Sequence, residues 1–369
     1  MGSVSLVNGN DNLYSLVHYW KDLTLLYTYP PFSTVVFAPI SFGSATLATQ
    51  MMGAIIICAL ARASWLLGSQ MAAASRGSAL TVSLAIFTLG LAGEPGRSAL
   101  GLGQVATILA WLLVEDWLGL GRGKRLGGVL TGIATGIKLV PAIYIAAYAV
   151  LGQWRRAGLA CITFLATAVL GAVLLPASSR LFWTGVGFDA SRVGDVATPG
   201  NQSLKALAWR TFPPESRIAW WMLFSLVVGC VWVYLIRGYD RAGDVVAVVL
   251  LTGLAGLLAS PVSWSHHWVW LAPTTIWLWL KSGLSARFPL KLSGRVIACV
   301  AVGAMVLGPA LPEQALQELG WDPLQWLIGD SYVLIGVLVL LWAAGNLLDR
   351  STVWTTSKLV AEPAMPSPR

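Results

Sequence analysis

Long uninterrupted runs of apolar residues, separated by short polar segments, dominate the chain. A helix needs about 20 apolar residues to cross a bilayer, and a shorter run can span it with help from its flanking residues. We therefore predict a membrane-spanning helix in each of nine runs. They cover residues 44–61, 80–91, 99–118, 159–175, 218–236, 245–258, 268–280, 296–311 and 331–348.

A further apolar stretch lies between two basic clusters, GRGKR at 121–125 and QWRR at 153–156. The preference of Lys and Arg for the cytoplasmic side places both clusters on one face of the membrane. The intervening run is therefore predicted to be a hairpin of two short helices, which turns at residues 138–141 because Pro141 breaks the helix. The expected total becomes about eleven crossings.

This count places most of the 24 Lys and Arg residues on the cytoplasmic side, together with a tail at 349–369. The external side receives the N-terminal segment 1–30 and a loop at 176–217. With the C-terminus inside, an odd number of crossings leaves the N-terminus outside, although no apolar segment precedes it. We therefore expect that the chain begins within an external loop and that one helix is missing upstream.

The composition supports the same fold class. Hydrophobic residues make up 56% of the 369 positions, 11% are charged, and the mean hydropathy is +0.71, values that exclude an ordinary soluble globular protein. The 19 tryptophans fit the aromatic belts of membrane interfaces. Because membrane orientation accounts for the net charge of +8, we expect no nucleic-acid partner. The prediction is an all-α polytopic membrane protein with one integral domain over residues 1–369.

Polar residues at the external ends of the spans are the candidates for chemistry. Tyr29 and Pro30 precede the first span, either as part of a rigid turn or as a wall of an external cavity. Asp11 and Asp22 lie close to them in the N-terminal segment, where they could equally be solvated loop residues.

Three further polar residues lie at or below the predicted membrane surface. Glu94 ends one span and has a structural interpretation that is at least as good as a functional one. Gln104 falls within the next span, where an amide must find hydrogen-bond partners. Lys138 lies at the hairpin turn, and a charge at membrane depth costs about 2.5 to 3.5 kcal/mol. It is expected either to face protein, water or an anion, or to extend to the headgroups.

The external loop contains the segment GNQS, in which Asn201, Gln202 and Ser203 either cap the following helix or hydrogen-bond the hydroxyls of a sugar. Arg210 follows within the same predicted helical pattern. Its guanidinium is a candidate for binding phosphate.

His266 and His267 stand side by side among tryptophans in SWSHHWVW. They are either interfacial packing residues or phosphate-binding groups, which hydrogen-bond an anion or, when protonated, pair with it. We expect no metal site, because neighbouring histidines point apart on a helix and no third ligand is evident. The chain also lacks the Walker A, GxGxxG, GxSxG and HExxH motifs, so soluble nucleotide chemistry is not supported.

Five motifs in order resemble the polyprenyl-phosphate-mannose-dependent mannosyltransferases of glycosyltransferase family 87, and the resemblance covers most of the chain. It implies a GT-C fold and a membrane enzyme that transfers mannose from a lipid-phosphate donor to a lipid-linked glycan outside the cell membrane, such as a phosphatidylinositol mannoside or a lipoglycan. No cofactor is implied beyond this donor. The motifs are TYPPF at 28–32, GEP and GQ within 93–104, GIKLVP at 136–141 with WRR at 154–156, GNQSL at 200–204, and SWSHHWVW at 263–270.

The resemblance also implies roles for the candidate residues. Glu94 and Gln104 would line the cavity, and Asn201, Gln202 and Ser203 would hold sugar hydroxyls or order the loop. Those implied to grip the donor phosphate are Lys138, Arg210, His266 and His267.

The chain departs from the family's pattern at its N-terminus. Family members carry an aspartate in a DLxVY-like stretch after a first transmembrane helix, and neither feature is present here. Asp11 and Asp22 lie near NDNLY, which resembles the family's GxxLY, and are the candidates to replace that aspartate as general base.

Two other functions stay open from the sequence. One is a transporter or flippase for lipid-linked glycans, which would need polar residues through the whole depth of the membrane. The other is a truncated, inactive relative with a binding or structural role.

Overall fold

The computed structural model describes residues 9, 11–15, 17–20, 23–75, 78–123, 125–189, 192, 194–284, 288–309 and 323–361. Helices account for most of this part of the chain, which confirms the predicted all-α fold class. The helices are α1 (Phe32–Phe37), α2 (Ala45–Ser75), α3 (Ala79–Ala92), α4 (Glu94–Gly101), α5 (Ala106–Leu118), α6 (Val129–Ile137), α7 (Ala142–Val150), α8 (Trp154–Leu174), α9 (Pro176–Thr184), α10 (Leu204–Thr211), α11 (Arg217–Arg241), α12 (Val245–Ala259), α13 (Leu271–Leu284), α14 (Phe288–Leu307), α15 (Pro323–Gly329) and α16 (Ser331–Ala361).

The N-terminal segment contains an antiparallel hairpin that the sequence pattern did not predict. It is formed by β1 (Val17–Trp20) and β2 (Leu23–Leu26), with Val17 opposite Leu26. Short 3-10 helices occur at Leu13–Ser15, Ala38–Phe42, Val186–Phe188 and Ser265–Trp270. The last of these, which contains both histidines, is called the histidine turn below.

Five described helices are long and apolar enough to cross a membrane, and there are six candidates if the pair α3 and α4, bent by 60°, forms one span. Other apolar helices, including α12 and α13, are shorter than 18 residues. The chain is therefore a multi-pass membrane protein, while the total of about eleven crossings stays a prediction. The five are Ala45–Ala74, Trp154–Leu174, Arg217–Arg241, Pro289–Leu307 and Ser331–Asp349.

Helix α12 forms the centre of the bundle. Each of its residues from 246 to 258 is buried, as expected for a helix that is apolar on every side. Helices α8 and α11 also contain long apolar runs, but they expose large side chains, such as Val173 and Leu226. Exposed apolar faces of this kind suit a lipid environment, because lipid acyl chains can cover them as apolar protein side chains would.

The predicted helical hairpin is confirmed. Helices α6 and α7 are separated by residues 138–141, where Lys138 has extended backbone angles (φ −153°, ψ 139°) and Pro141 immediately precedes α7. This break places the lysine side chain between two helix ends.

The prediction of one uninterrupted helix at residues 99–118 is wrong. Helix α4 ends at Gly101 and α5 begins at Ala106. Between them Gly103 has a φ of +60°, a left-handed conformation that costs other residues energy and that ends a right-handed helix. The run is apolar enough for a span, but its glycines allow the chain to turn before Gln104.

The predicted span 268–280 also begins differently. The histidine turn occupies Ser265–Trp270, and α-helical structure starts only at Leu271.

Candidate active site

A cavity with an empty volume of about 470 Å³, including its open mouth, lies between α5, the break between α6 and α7, α12 and the histidine turn. Its basic lining residues are Lys138 and His267. Tyr144 also lines it, but its hydroxyl donates to the carbonyl of Val249 at 2.8 Å. The cavity therefore combines two nitrogen bases with a mainly apolar wall. This wall includes Leu109, Leu113, Ile143, Leu257 and Trp270.

Lys138 and His267 contact each other directly, with 2.7 Å between Nζ and Nε2. An ammonium group is a donor only, so Nε2 accepts the hydrogen bond and the imidazole proton lies on Nδ1 when Lys138 is charged. His267 is then neutral. The cavity thus presents one positive charge supported by a neutral ring, rather than the protonated histidine that the sequence suggested as an option.

His266 lies against His267 with its ring nearly perpendicular, at 85° and with 4.6 Å between ring centroids. It is buried, but it is not part of the cavity lining. Within the described part of the chain, its ring has no hydrogen-bond partner. The two histidines, equivalent in the sequence, therefore have different environments.

Tyr29 is a second neighbour of Lys138. The lysine Nζ is 5.1 Å from the centre of the Tyr29 ring, and the Tyr29 hydroxyl donates to Gln104 Oε1 at 2.7 Å. The following Pro30 is buried, and its carbonyl accepts hydrogen bonds from the Ser33 backbone and hydroxyl. The structure thus brings together Tyr29, Gln104, Lys138 and His267, while Pro30 forms the turn that leads into α1.

No carboxylate of the described residues lies within ion-pair distance of Lys138. The described ion pairs are Arg62 with Glu115, Arg210 with Asp330, and Lys281 with Asp244. A half-buried ammonium beside an apolar wall is costly unless an opposite charge compensates it. The site is consequently suited to an anion.

The GNQS segment holds the histidine turn in place. Asn201 pairs with Trp264 in an antiparallel bridge, and Asn201 Oδ1 accepts from the backbone of Ser263 at 2.9 Å. The Gln202 carbonyl accepts from the indole of Trp268 at 3.2 Å. These contacts place the loop at 176–217 and the histidine turn against each other.

The side chains of Asn201, Gln202 and Ser203 are fully buried. Ser203 Oγ caps α10 by accepting from the backbone of Ala206 at 3.1 Å, which confirms the predicted cap. Gln202 Oε1 accepts from the backbone of Tyr332 at 3.0 Å. This geometry favours a role for the three side chains in ordering the loop over a role in direct contact with a sugar.

Arg210 is held by several protein groups. Its guanidinium donates to the carbonyls of Ala197, Thr198 and Asn201 at 3.1–3.2 Å and forms an ion pair with Asp330. The two side chains are only 4% and 1% exposed. Burial raises the pKa of the Asp330 carboxyl above its ordinary value, although the charge of Arg210 acts in the opposite direction. This arrangement favours a structural role for Arg210 over phosphate binding.

Glu94 connects the histidine turn to α16. One carboxylate oxygen accepts from the Ser265 hydroxyl at 2.7 Å, and the other accepts from the Tyr332 hydroxyl at 2.9 Å. It does not line the cavity beside Lys138. Its contacts favour a role in which Glu94 orients the histidine turn.

Asp11 lies at the N-terminus of α9, where its two oxygens accept from the backbones of Ala177 and Ser178 at 2.6 and 2.8 Å. Burial acts to raise the pKa of its carboxyl, but the hydrogen bonds from Ser178 and Ala177 prevail and lower it below 3.8. A carboxylate held in this way caps a helix and is a weaker proton acceptor. The other candidate, Asp22, lies outside the described residues.

A family model described as glycosyltransferase family 87 matches residues 27–261. The chain belongs to glycosyltransferase family 87. The matched region includes Tyr29, Gln104, Lys138 and the GNQS segment, whereas the histidine turn lies beyond it.

Curated mycobacterial proteins are similar to this family 87 chain. A polyprenol-phosphate-mannose-dependent alpha-(1-2)-phosphatidylinositol pentamannoside mannosyltransferase of Mycobacterium tuberculosis is 33% identical over 70% of this chain and 59% of its own length. Its namesake in Mycolicibacterium smegmatis is 33% identical over 80% and 71%. A phosphatidylinositol mannoside mannosyltransferase of M. tuberculosis with the same donor dependence is 28% identical over 91% and 80%. No solved structure gives a significant match.

Sequence reasoning missed several residues that organise this family 87 site. Ser265 and Tyr332 bind Glu94, and Asp330 pairs with Arg210. Ser265 was visible within the histidine motif, whereas Asp330 and Tyr332 belong to a segment more than 100 residues from their partners. Among the described residues, no group of three or more His, Cys, Asp and Glu side chains is arranged to hold a metal ion.

Proposed function

We propose that this chain is a membrane mannosyltransferase that takes mannose from polyprenyl-phosphate-mannose and adds it to a lipid-linked glycan acceptor of the phosphatidylinositol mannoside type. The observation that carries the proposal is the Lys138 ammonium, which borders a mainly apolar cavity without a carboxylate partner among the described residues. Membership of family 87 and the names of the mycobacterial relatives support the reaction and its substrates.

The cavity suits both parts of such a donor. Lys138 would bind the phosphate, since an ammonium retains unused donors after one hydrogen bond to His267. The first isoprene units would lie against apolar residues such as Leu109 and Leu257. An ordinary sugar nucleotide offers no comparable apolar group for this wall.

The transfer itself breaks the bond between the mannose C1 and the phosphate oxygen, and the acceptor oxygen bonds to C1. The departing polyprenyl phosphate gains negative charge, which Lys138 would stabilise most strongly in the transition state. The acceptor hydroxyl must lose its proton to a base. Asp22 is the preferred candidate for this base, because Asp11 caps α9. The lipid phosphate is the leaving group, so no further cofactor takes part in this proposal.

We also propose that the site opens on the outer side of the plasma membrane. Lys138 lies at the turn of a hairpin whose two ends carry the basic clusters of the cytoplasmic side. The same orientation puts the GNQS segment and the histidine turn outside, where a lipid-linked donor replaces cytosolic nucleotide sugars.

The transporter alternative receives less support. Acidic residues that the orientation places near the inner surface are engaged: Glu115 with Arg62, Asp116 with backbone and side-chain groups of Thr131, and Asp244 with Lys281. These contacts stabilise helix ends, and they do not extend the Lys138 cavity inwards.

The proposal is tested with membranes that contain the full chain, polyprenyl-phosphate-mannose labelled in the sugar, and a phosphatidylinositol mannoside acceptor. We expect labelled lipid product from the wild type. Lys138→Met should lower kcat/KM for the donor by about 10²- to 10³-fold, as loss of one charge-stabilising donor does in other enzymes.

Lys205→Met is the matched control, because the Lys205 ammonium lies 5.0 Å from the rings of Trp209 and Trp221 and not in the cavity. It should stay within about threefold of the wild type, the range of a lost surface charge. Absence of mannose transfer by the wild type, or equal rates for Lys138→Met and the control, would contradict the proposal.

A further inference from the structure

We infer that Tyr29 is a positioning residue for Lys138: Gln104 fixes the tyrosine ring, and the ring holds the lysine ammonium in the orientation that binds the donor phosphate. This inference rests on the proposed function and deepens it by explaining how a flexible side chain is preorganised. It gives the TYPPF motif a role in donor binding that is distinct from that of a turn.

Lys138 needs such support because of where the chain places it. It follows the last residue of α6 in extended conformation, and four rotatable methylene groups separate its ammonium from the backbone. His267 Nε2 restrains it from one side at 2.7 Å. A single hydrogen bond leaves the ammonium able to swing around its partner.

The Tyr29 ring supplies the second restraint. With 5.1 Å between Nζ and the ring centre, the ammonium faces the negative side of the π system. The contact favours the charged form of the lysine over the neutral amine, which gains little from the ring. Together, His267 and Tyr29 restrain the ammonium through two separate contacts.

Tyr29 is itself fixed at two points. Its hydroxyl donates to Gln104 Oε1 at 2.7 Å, and its carbonyl accepts from the Tyr14 hydroxyl at 2.8 Å. The neighbouring Tyr27 packs edge-on, with 5.9 Å between ring centroids. Gln104 is placed by the turn at Gly103 and by a 2.8 Å hydrogen bond from its backbone N–H to the carbonyl of Ala99. The break between α4 and α5 thus determines the direction of the Tyr29 ring.

The test measures equilibrium binding of farnesyl phosphate, a short polyprenyl phosphate, to the full chain in detergent. Tyr29→Leu removes the ring face and should raise Kd by roughly 5- to 30-fold, the effect of losing a desolvated cation–π contact. Tyr29→Phe keeps the face and should restore most of the affinity, with a Kd raised by about 2- to 5-fold for the lost hydroxyl.

Gln104→Leu removes the same hydrogen bond from its other end. The double variant Tyr29→Phe with Gln104→Leu should therefore bind like either single variant, because residues that act through one contact are not additive. Tyr27→Phe is the matched control, since it deletes a tyrosine hydroxyl that bonds to Ser33 in the same segment without touching Lys138. Its Kd should stay within about twofold of the wild type.

Two outcomes separate this inference from the proposed function. If the wild type binds farnesyl phosphate and Lys138→Met weakens binding, but Tyr29→Leu stays within twofold of the wild type, the positioning role is overturned and the proposed function stands. If the wild type does not bind the probe, the proposed function fails. If Tyr29→Leu does not fold, Tyr29→Phe, Gln104→Leu and their double variant provide the test. Wild-type affinity in all three variants, or losses of affinity that add in the double variant, would overturn the inference.

Discussion

Asp11 illustrates how the role of a single carboxylate depends on the backbone around it. Its proximity to NDNLY made it a candidate base, but both oxygens accept hydrogen bonds from the first backbone N–H groups of α9. Those N–H groups have no partner within the helix, and an anion there also interacts favourably with the positive end of the helix dipole. The same contacts that stabilise the ionised carboxylate reduce its tendency to take a proton.

A pH-dependent loss of stability follows for Asp11. Because its folded-state pKa lies below the ordinary value of 3.8, its stabilising effect is present above that value and is lost as the pH falls through the lowered pKa. Asp11→Ala should lower the unfolding free energy by about 1 kcal/mol at pH 7, as for other lost helix caps. Thermal unfolding in detergent should show a lower midpoint at pH 7 and a smaller difference from the wild type at pH 3, below the ordinary pKa of 3.8.

Glu215→Gln is the control for this measurement, since Glu215 is an exposed carboxylate in the loop at 176–217 that also contains α9. It should show no comparable difference between the two pH values. Activity gives a second test, because Asp11→Asn should keep mannose transfer within about threefold if Asp11 is a cap. A loss of 10² to 10⁴, typical of a missing general base, would instead restore the catalytic interpretation.

At the scale of elements, the break between α4 and α5 connects a glycine to the proposed donor site at Lys138. Gly103 has a φ of +60°, and among the described residues a methyl group added there would meet only Met52 at 3.7 Å, an ordinary contact. The need for glycine is therefore conformational and not steric. If the break straightened into one helix, Gln104 would leave its position under the Tyr29 hydroxyl.

A matched pair of substitutions tests this element. Gly103→Ala should lower the unfolding free energy by about 1 to 2 kcal/mol, the cost of a left-handed conformation for alanine. Gly101→Ala, two residues earlier at the end of α4, has open space around the added methyl group and no positive φ. It should be neutral or stabilising by up to about 1 kcal/mol, as measured by thermal or denaturant unfolding. Equal destabilisation by both changes would contradict this account.

At the scale of the whole molecule, the bundle has a chemical polarity along its helices. Helix α5 begins at Ala106 beside the cavity, and Glu115 lies nine residues further on, about 13 Å at 1.5 Å per residue. Glu115 pairs there with Arg62, and Arg122 donates to Gln70. Among the described residues, Lys138 thus faces the cavity near the start of α5 without a carboxylate partner, while the ion pair of Arg62 and Glu115 lies near the end of this helix.

This polarity predicts the sidedness of labelling in intact cells. The four native cysteines, Cys58, Cys161, Cys230 and Cys299, would first be replaced by alanine. In that background, Glu215→Cys should react with a membrane-impermeant maleimide in intact cells, because the external loop faces the medium. Leu126→Cys, in an exposed turn beside the basic cluster at 121–125, should react only after permeabilisation. The reverse pattern, or equal labelling of both, would refute the outward orientation of the site.

Much of the fold was predictable because the bilayer imposes a simple rule on sequence. Apolar length and the positions of Lys and Arg indicated the polytopic fold and the hairpin between α6 and α7, and Pro141 marked its turn. Ser203 was predictable as a cap because capping depends on neighbours within the next few residues. The break at Gly103 and the hairpin of β1 and β2 were missed, since a local apolar pattern does not show where a backbone changes direction.

The sequence by itself determined the membrane environment, the fold class and, through ordered motifs, the family. Tertiary structure alone decided which polar residues meet: it joined Lys138 to His267 and Tyr29, whereas it assigned Arg210 to Asp330 and Asn201 to the histidine turn. The physical reason is that a buried polar group must find partners. In this chain those partners come from segments more than 60 residues away, so no local pattern specifies which candidate is left to bind a ligand.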